Sequence, residues 1–306
     1  MRILLTGASG MVGRSIVSHA GSREHEWLLP THAQLDLLDT RSVRDFVGKH
    51  RPDAILHAAG RVGGIQANLA EPVSFFLDNF DMGRNVVTVA ASAGVPLLLN
   101  FGSSCMYPRD RQTALREEDV LGGQLEPTNE GYALAKISVA RLTEYVSRTQ
   151  PQLQYKTVIP CNLFGPYDKF DPARSHMIPA ILRKLHEAKL AGAPTVEVWG
   201  SGEARREFMY VKDLADAVFF ALGHFDDMPQ MLNIGLGQDL TVNEYYQVAA
   251  EVVGFTGMFT HDLSRPVGML RKLTDTTKAS LWGWSPRTSL RQGLELTYDY
   301  YLGTLE

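Results

Sequence analysis

The chain has 306 residues, of which 44% are hydrophobic and 21% charged, enough to bury a large core in one domain or in two smaller ones. Its formal net charge of −4 gives no electrostatic reason to expect nucleic acid or an anionic membrane as a partner. The sequence opens with a strand-like run rather than a signal peptide, and it lacks an apolar run of about 18 residues that could span a bilayer. We therefore expect a cytoplasmic protein.

The chain has two cysteines, Cys105 and Cys161, which are too few for a disulfide framework. Their spacing does not suit a zinc site, so we expect no metal and a reducing compartment. A lone cysteine is commonly a small buried apolar residue, and we expect that structural role for Cys161.

Strand-like and helical patterns alternate from the first residues onward. We expect strands at 2–6, 27–29, 54–58, 97–101 and 155–160, and helices at 11–19, 72–93 and 132–148. This alternation predicts an α/β fold with a Rossmann-type, doubly wound parallel sheet. Beyond residue 165 the pattern becomes irregular. We therefore expect a Rossmann domain over 1–165 and a smaller α/β substrate domain over 166–306, with segments around 207–240 returning to the sheet.

Three glycines, Gly7, Gly10 and Gly13, separate the first strand from the first helix. Glycines at this point allow a tight turn, close approach of the backbone to a pyrophosphate, and tight packing of the helix on the strand. Their even three-residue spacing differs from the Gly-x-Gly-x-x-Gly dinucleotide fingerprint. The turn still predicts a dinucleotide site at the N-terminus of the helix.

Tyr132 and Lys136 are four residues apart in a predicted helix, so they share one face. An ammonium close to the phenol favours the phenolate and lowers a pKa that is ordinarily about 10. Chance produces this spacing in many helices, and the glycine turn is what gives it weight. Together the two features predict that Tyr132 exchanges a proton with a carbonyl or an alcohol.

The strand at 97–101 is followed by Ser103 and Cys105. Open α/β sheets bind their ligands at the carboxyl ends of the strands, so this segment places a hydroxyl and a thiol where chemistry is expected.

From these residues the chain resembles the extended branch of the short-chain dehydrogenase/reductase superfamily, and within it the GDP-L-fucose synthase family of GDP-4-keto-6-deoxy-D-mannose 3,5-epimerase/4-reductases. The glycine spacing and the Tyr132/Lys136 pair carry the first resemblance. The second rests on segments that span nearly the whole chain: 58–65, 102–108, 126–136, 162–166, 175–179, 198–202, 206–208 and 271–272.

The resemblance implies a division of labour at a 4-keto sugar. The ketone acidifies the protons at C3 and C5, because the carbanion delocalises as an enolate. Cys105 is implied as the base and His176 as the acid, two groups whose ordinary pKa values bracket neutral pH. Tyr132 then donates a proton to the C4 oxygen during reduction, Lys136 tunes Tyr132, and Ser103 hydrogen-bonds the same oxygen.

The implied cofactor is NADP, used as NADPH. The second strand ends without the acidic residue that binds the ribose of NAD, while Ser9 and His32 stand where some relatives carry arginine. The missing acid favours NADPH. The implied cofactor-binding residues are Gly7, Ser9, Gly10, Met11, Val12, Gly13, His32, Ala58, Ala59, Tyr132, Lys136, Asn162, Leu163 and His176.

The implied substrate is a GDP-linked 4-keto-6-deoxy sugar. Arg206 and Lys272 are the family positions for its diphosphate, with Lys184 as a further candidate. Trp199 is expected to stack near the guanine or to flank its pocket. Relatives pair two long helices from each subunit, so the helices at 72–93 and 132–148 imply a homodimer.

Several alternatives stay open from the sequence. Enzymes of GDP-colitose or GDP-6-deoxyheptose pathways share much of the pattern, whereas a simple 4-reductase would not need both Cys105 and His176. A 4-epimerase would share only the glycine turn and the Tyr132/Lys136 pair. A dehydratase would need an acidic residue beside Ser103. The last alternative is a protein that senses NADP without catalysis.

Overall fold

The computed structural model describes residues 1–172, 175–265 and 269–305. Over these residues the strands are, in chain order, β1 (Arg2–Thr6), β2 (Glu26–Leu28), β3 (Ala54–His57), β4 (Leu97–Phe101), β5 (Gln154–Pro160), β6 (Asn162–Phe164), β7 (Thr195–Trp199), β8 (Arg205–Arg206), β9 (Phe208–Tyr210), β10 (Met231–Ile234), β11 (Leu240–Thr241), β12 (Met258–Asp262) and β13 (Arg271–Lys272). The α-helices are α1 (Met11–Ser18), α2 (Thr40–His50), α3 (Ile65–Ala70), α4 (Pro72–Ala93), α5 (Glu130–Thr149), α6 (Met177–Leu190), α7 (Val211–Gly223), α8 (Val242–Val253), α9 (Thr277–Trp282) and α10 (Leu290–Gly303).

Six strands form the central sheet in the order β2-β1-β3-β4-β5-β10. Each neighbouring pair in this sheet is parallel. The order reverses between β1 and β3, which opens a crevice at the carboxyl ends of these two strands. The predicted α/β fold with a Rossmann-type parallel sheet is therefore confirmed.

Both faces of this sheet are covered by apolar side chains. Ile3 and Leu5 of β1 pack in one buried cluster with Ile16 of α1 and Leu214 of α7. The intervening Leu4 points to the opposite face, where the side chains of α2, α4 and α5 bury it. Burial on both faces explains why the strands read as continuous hydrophobic runs in the sequence.

The long helix α4 has the bounds that the sequence predicts, because both of its ends are marked. Pro72 occupies the first turn, where a missing N–H costs no helical hydrogen bond, and Gly94 ends the helix in the left-handed conformation at φ 69°. β1 and β4 also have the expected bounds, and the other expected elements differ by one or two residues at an end. α5, for example, starts at Glu130, directly after a 3-10 turn at Pro127–Asn129.

A second apolar cluster lies in the C-terminal part of the chain. It joins α6, α8 and α10 with the buried side chains of Val198 and Phe208. β10, which falls in a segment expected to return to the sheet, pairs with β5 at the edge of the central sheet. None of the helices in the described ranges is both long and apolar enough to cross a membrane.

Glu207 ties this C-terminal part to the central sheet. Its buried carboxylate accepts hydrogen bonds from the backbone N–H groups of Leu236, Gly237 and Thr274 and from the Thr274 hydroxyl, at 2.7–2.9 Å. One side chain therefore joins the end of β10, the start of β9 and the segment after β13.

We expect Glu207→Ala to lower the free energy of unfolding by about 3 kcal/mol or more, because it leaves several buried donors without an acceptor. Glu295 on α10 is exposed and serves as the matched control. Glu295→Ala should change stability by less than about 0.5 kcal/mol. Urea unfolding measures both variants, and equal effects would show that the Glu207 carboxylate does not stabilise this junction.

Candidate active site

The turn between β1 and α1 depends on two glycines for space. Gly7 has φ 73°, and a Cβ there would lie 2.7 Å from the backbone nitrogen of Ala59. A Cβ on Gly13 would lie 2.3 Å from the Gly7 carbonyl oxygen. Both glycines are therefore required by the close packing of β1, α1 and the segment after β3.

Gly10 differs from these two because it has room for a side chain. A Cβ there would meet only the Gly7 carbonyl oxygen, at 3.4 Å, and its φ of −80° suits any residue. Gly10 is the N-cap of α1 and has no side chain to cap the helix. The first N–H groups of α1, at Met11 and Val12, are thus available to an anion, which fits the pyrophosphate of a dinucleotide.

The other wall of this crevice is formed by Ala58 and Ala59, which follow β3. The Ala59 N–H donates to the Thr6 hydroxyl, which also lies 2.9 Å from His57 Nδ1. Burial, and secondarily the charge of Lys136, lower the pKa of His57 to about 3. His57 is therefore neutral and supports the backbone rather than exchanging protons.

Ser9 and His32, which stand where some relatives carry arginine, have no fixed positive charge. His32 follows β2, and its side chain is 83% exposed with Nε2 at 3.9 Å from Asp36 Oδ1. The Ser9 carbonyl oxygen accepts a hydrogen bond from Arg14 Nε. Asn162 and Leu163 lie in β6, beyond the carboxyl end of β5, and Asn162 Nδ2 donates to the Glu207 carbonyl.

Ser103 and Cys105 lie in a tight turn at the carboxyl end of β4. A 3-10 helix at Ser104–Met106 follows β4, and the Ser103 hydroxyl caps it by accepting the Cys105 N–H at 3.2 Å. The partly exposed Cys105 thiol lies next to the Ser103 hydroxyl.

Two nitrogen donors face the Cys105 thiol. Asn129 Nδ2 and Lys272 Nζ each lie 3.3 Å from Sγ. Burial raises the pKa of the Cys105 thiol, but the Lys272 charge and hydrogen bonding with Ser103, Lys272 and Asn129 outweigh it, and the pKa lies below its ordinary value. The environment therefore favours the thiolate, which is the form that can remove a proton.

Tyr132 and Lys136 occupy the first turns of α5. The Lys136 ammonium lies 5.8 Å from the centre of the Tyr132 ring and donates to the Phe101 carbonyl at 2.9 Å. Burial, then the charge of Cys105, raise the pKa of Tyr132 above its ordinary value, while hydrogen bonding with Ser103 opposes this. The lowered pKa expected from Lys136 is thus not seen here, because burial dominates, and Tyr132 is protonated and able to donate.

Lys136 is itself affected by its surroundings. Burial lowers the pKa of the Lys136 ammonium to about 8, because the charged form loses hydration.

A Cβ on Gly60 would lie 3.5 Å from Lys136 Nζ, and one on Gly64 would lie 3.9 Å from the Ser175 carbonyl oxygen. The loop 60–64 therefore runs from Lys136 to the residue that precedes His176.

His176 is the N-cap of α6, with 42% of its side chain exposed. Its Nδ1 lies 3.6 Å from Asp168 Oδ1, and the Asp168 side chain is only 5% exposed. The backbone turns sharply just before this aspartate, where Tyr167 adopts φ 70°. Asp168 is placed to orient the imidazole so that the other ring nitrogen faces away from it.

A second group of cations surrounds Trp199 at the end of β7. Lys184 Nζ lies 5.9 Å from the ring centre of Trp199 and donates to the Glu197 carbonyl, while the Arg265 guanidinium lies 5.0 Å from the same ring. The Trp199 side chain is exposed. An aromatic face between cations suits a nucleobase that carries a diphosphate.

Arg206 and Lys272 are register partners on the parallel strands β8 and β13. Burial lowers the pKa of Arg206, and the nearby charge of Glu126 opposes that effect. Both cations were expected to bind the diphosphate, and for both that role stays a prediction. The structure adds for Lys272 a direct contact with the thiol.

The structure thus brings Ser103, Cys105, Tyr132 and Lys272 together at one strand end. Sequence reasoning missed three residues that contact candidate site residues: Asn129 beside Cys105, Asp168 beside His176 and Arg265 beside Trp199. Asn129 stands in a segment that carries the family resemblance, directly before α5, and that position was a usable signal. Asp168 and Arg265 have no such signal in the sequence.

The glycine turn and the cluster of Ser103, Tyr132 and Lys136 define a dinucleotide-dependent oxidoreductase of the short-chain dehydrogenase/reductase class. The sequence profile described as "NAD dependent epimerase/dehydratase family" matches residues 3–235. The chain belongs to that family.

Similar proteins cover the whole length of the chain. It is 51% identical to the GDP-L-colitose synthase of Yersinia pseudotuberculosis, over 99% of this chain and 98% of that protein. It is 45% identical to the GDP-L-fucose synthase of Azorhizobium caulinodans, over 98% and 96%. Among solved structures, a GDP-mannoheptose C4 reductase from Campylobacter jejuni with NADP bound superposes with a TM-score of 0.90 at 28% identity, covering 98% of both chains.

Alanine substitutions at Gly13 and at Gly10 should separate an effect on folding from an effect on cofactor binding. Gly13→Ala forces a Cβ into backbone atoms, so we expect it to lower the free energy of unfolding by about 1–3 kcal/mol. Gly10→Ala should cost less than about 1 kcal/mol. It should nevertheless weaken NADPH binding by roughly tenfold, about 1.4 kcal/mol, because a methyl group obstructs the approach of the phosphates.

Thermal unfolding without cofactor and titration of NADPH fluorescence measure these two effects. If Gly10→Ala binds NADPH as tightly as the parent protein, the pyrophosphate does not approach the N-terminus of α1.

Proposed function

We propose that this protein is a bifunctional 3,5-epimerase/4-reductase that converts GDP-4-keto-6-deoxy-D-mannose to GDP-L-fucose with NADPH. The observation that carries the proposal is the contact of the Cys105 thiol with the Asn129 amide and the Lys272 ammonium. This contact lies beside the Ser103 hydroxyl and Tyr132. A simple reductase needs the serine, the tyrosine and the lysine, but it has no use for an activated thiol. A base beside the same oxyanion site suits an epimerase that also reduces.

In the proposed reaction the Cys105 thiolate removes a proton from the carbon next to the C4 ketone. Electron density moves onto the C4 oxygen, which accepts hydrogen bonds from Ser103 and Tyr132. His176, oriented by Asp168, returns a proton to the opposite face of that carbon. The same pair acts at C3 and at C5, since both carbons flank the ketone.

Reduction uses the same oxygen site. Tyr132 holds its proton because burial raises the pKa of its phenol, and it gives that proton to the C4 oxygen as the alcohol forms. NADPH, when bound, supplies the hydride for C4. The turn at Gly7, Gly10 and Gly13 would hold its pyrophosphate, and the NADP-bound Campylobacter reductase supports this choice of cofactor.

The GDP end of the substrate is proposed to lie along the cationic wall. Trp199 would stack on or flank the guanine, and Arg206 and Lys184 would bind the diphosphate through charge-assisted hydrogen bonds. This division assigns residues 1–165 mainly to the cofactor and 166–306 mainly to the substrate.

A GDP-colitose-forming reaction is the second candidate. It is favoured by the 51% identity to a GDP-L-colitose synthase. Colitose is a 3,6-dideoxy sugar without a stereocentre at C3, so the same residues would invert only C5 before reduction. The two candidates differ in the sugar and not in the chemistry proposed for each side chain.

We also propose a homodimer in the cytoplasm. The exposed apolar residues Leu69, Val73 and Leu77 of α3 and α4 and Leu134 of α5 offer an apolar face to a second copy. Light scattering of the purified protein tests the dimer.

The function is tested by incubating GDP-4-keto-6-deoxy-D-mannose and NADPH with the protein in deuterated water. Deuterium at both C3 and C5 of the product, with NADPH consumed, is the expected result. NADPH consumption without deuterium would indicate a simple 4-reductase. If neither is seen, the 3,6-dideoxy substrate is tried next, and deuterium incorporation at C5 would then support the second candidate.

Two variants should separate the two halves of the reaction. Cys105→Ser replaces the thiolate by a hydroxyl that stays protonated, so deuterium exchange at C3 and C5 should fall by at least about 100-fold. Reduction of an already epimerised ketone should change only a few-fold. Tyr132→Phe should slow that reduction by about 100-fold and spare exchange to a greater degree. Equal losses in both assays for Cys105→Ser would show that Cys105 is structural.

A further inference from the structure

Lys272 contacts the Cys105 thiol, in addition to being a family position for the diphosphate. Its ammonium is buried and lies 3.3 Å from the Cys105 sulfur. In the described part of the chain, no carboxylate lies within ion-pair distance of this ammonium. A buried ammonium without a carboxylate is costly unless another anion stands beside it, and the thiolate is the available anion.

The strand that carries Lys272 is held rigidly. The buried Asp239 carboxylate binds Arg205 Nε at 2.8 Å and Arg271 Nε at 2.6 Å, which joins β8 to β13. On the other side of Lys272, Glu207 holds Thr274. Two buried acids therefore hold the backbone on both sides of the lysine.

We propose that Lys272 is a positioning residue that holds Cys105 as a thiolate in the free enzyme, with Asn129 as the second donor to the sulfur. The inference rests on the proposed function, because it assigns the thiolate to the epimerisation. It goes beyond that function by giving Lys272 a task that needs no diphosphate. Two titratable groups that interact with the thiol are Lys272 from β13 and Tyr132 from α5.

Without the lysine, the balance at the sulfur should reverse. Burial opposes the thiolate, and the Lys272 charge is the largest effect that favours it. Lys272→Met keeps most of the length of the side chain and removes the charge, so the pKa of Cys105 should rise. Lys272→Arg keeps the charge and should restore most of the effect.

The experiment is the alkylation of Cys105 by iodoacetamide between pH 5 and 10, in which the thiolate displaces iodide. Peptide mass spectrometry follows each cysteine separately. The rate depends on the thiolate fraction, so a rise in the pKa of Cys105 should slow alkylation of Lys272→Met at pH 7, by about tenfold for each pKa unit gained above pH 7. The midpoint of its pH profile should move upward, whereas Lys272→Arg should stay close to the parent protein.

Cys161 is an internal control in the same samples. It is buried, so its alkylation reports loss of the fold. A Lys272→Met protein with Cys161 still protected and an unchanged midpoint for Cys105 would overturn the proposal. If Cys161 becomes reactive, Lys272→Gln and Lys272→Arg are compared at a lower temperature, and equal midpoints in these two would also overturn it.

Turnover separates this task from diphosphate binding. A lysine that serves the thiolate affects kcat for C3 and C5 exchange and spares reduction of the epimerised ketone. A lysine that serves only the diphosphate raises KM in both assays and leaves the alkylation midpoint unchanged, which would contradict the proposal. Because alkylation needs no substrate, its midpoint is informative even if no GDP-keto sugar is converted.

Discussion

The parallel pairing of the central strands determines where this protein can carry out chemistry. Both faces of the central sheet are covered by helices, so the polar groups of this sheet can contact a ligand only at the strand ends. β1, β3 and β4 are neighbours, and their carboxyl ends deliver the glycine turn, Ala58 and Ser103 to one edge. The glycine turn and Ser103 lie along one edge because these three strands are paired in that order.

The second wall of the site requires a different constraint, since it comes from chain segments far from β4 in sequence. Cys105 and Lys272 are 167 residues apart. Glu207 and Asp239 bring the short strands β8 and β13 to the sheet edge by satisfying backbone and guanidinium donors. Buried carboxylates that accept several hydrogen bonds are well suited to joining these segments. Each hydrogen bond that is not made would leave a buried donor unsatisfied, which costs free energy.

The sequence predicts the parts of this structure that depend on local patterns. The strand repeats, the bounds of α4 and the glycine turn follow from apolar runs, a proline and glycines that lie close together in the chain. The pairing of Cys105 with Lys272, and of His176 with Asp168, does not follow in this way, because no local periodicity encodes a contact that tertiary packing creates. The sequence does not predict the protonation of Tyr132 either, because burial, rather than its helical neighbour Lys136, controls the pKa of Tyr132.

The charges of the candidate site suit the proposed division between a base, Cys105, and a proton donor, Tyr132. Burial, and then the charge of Cys105, raise the pKa of Tyr132, so in the proposed reaction the phenol stays protonated while the Cys105 thiolate removes a proton from the sugar. The phenol can then stabilise the enolate oxygen by donating a hydrogen bond and keep its proton for the alcohol formed in reduction. In the proposed reaction Lys272 serves the thiolate during epimerisation, and epimerisation precedes reduction because hydride addition removes the ketone that acidifies the protons at C3 and C5.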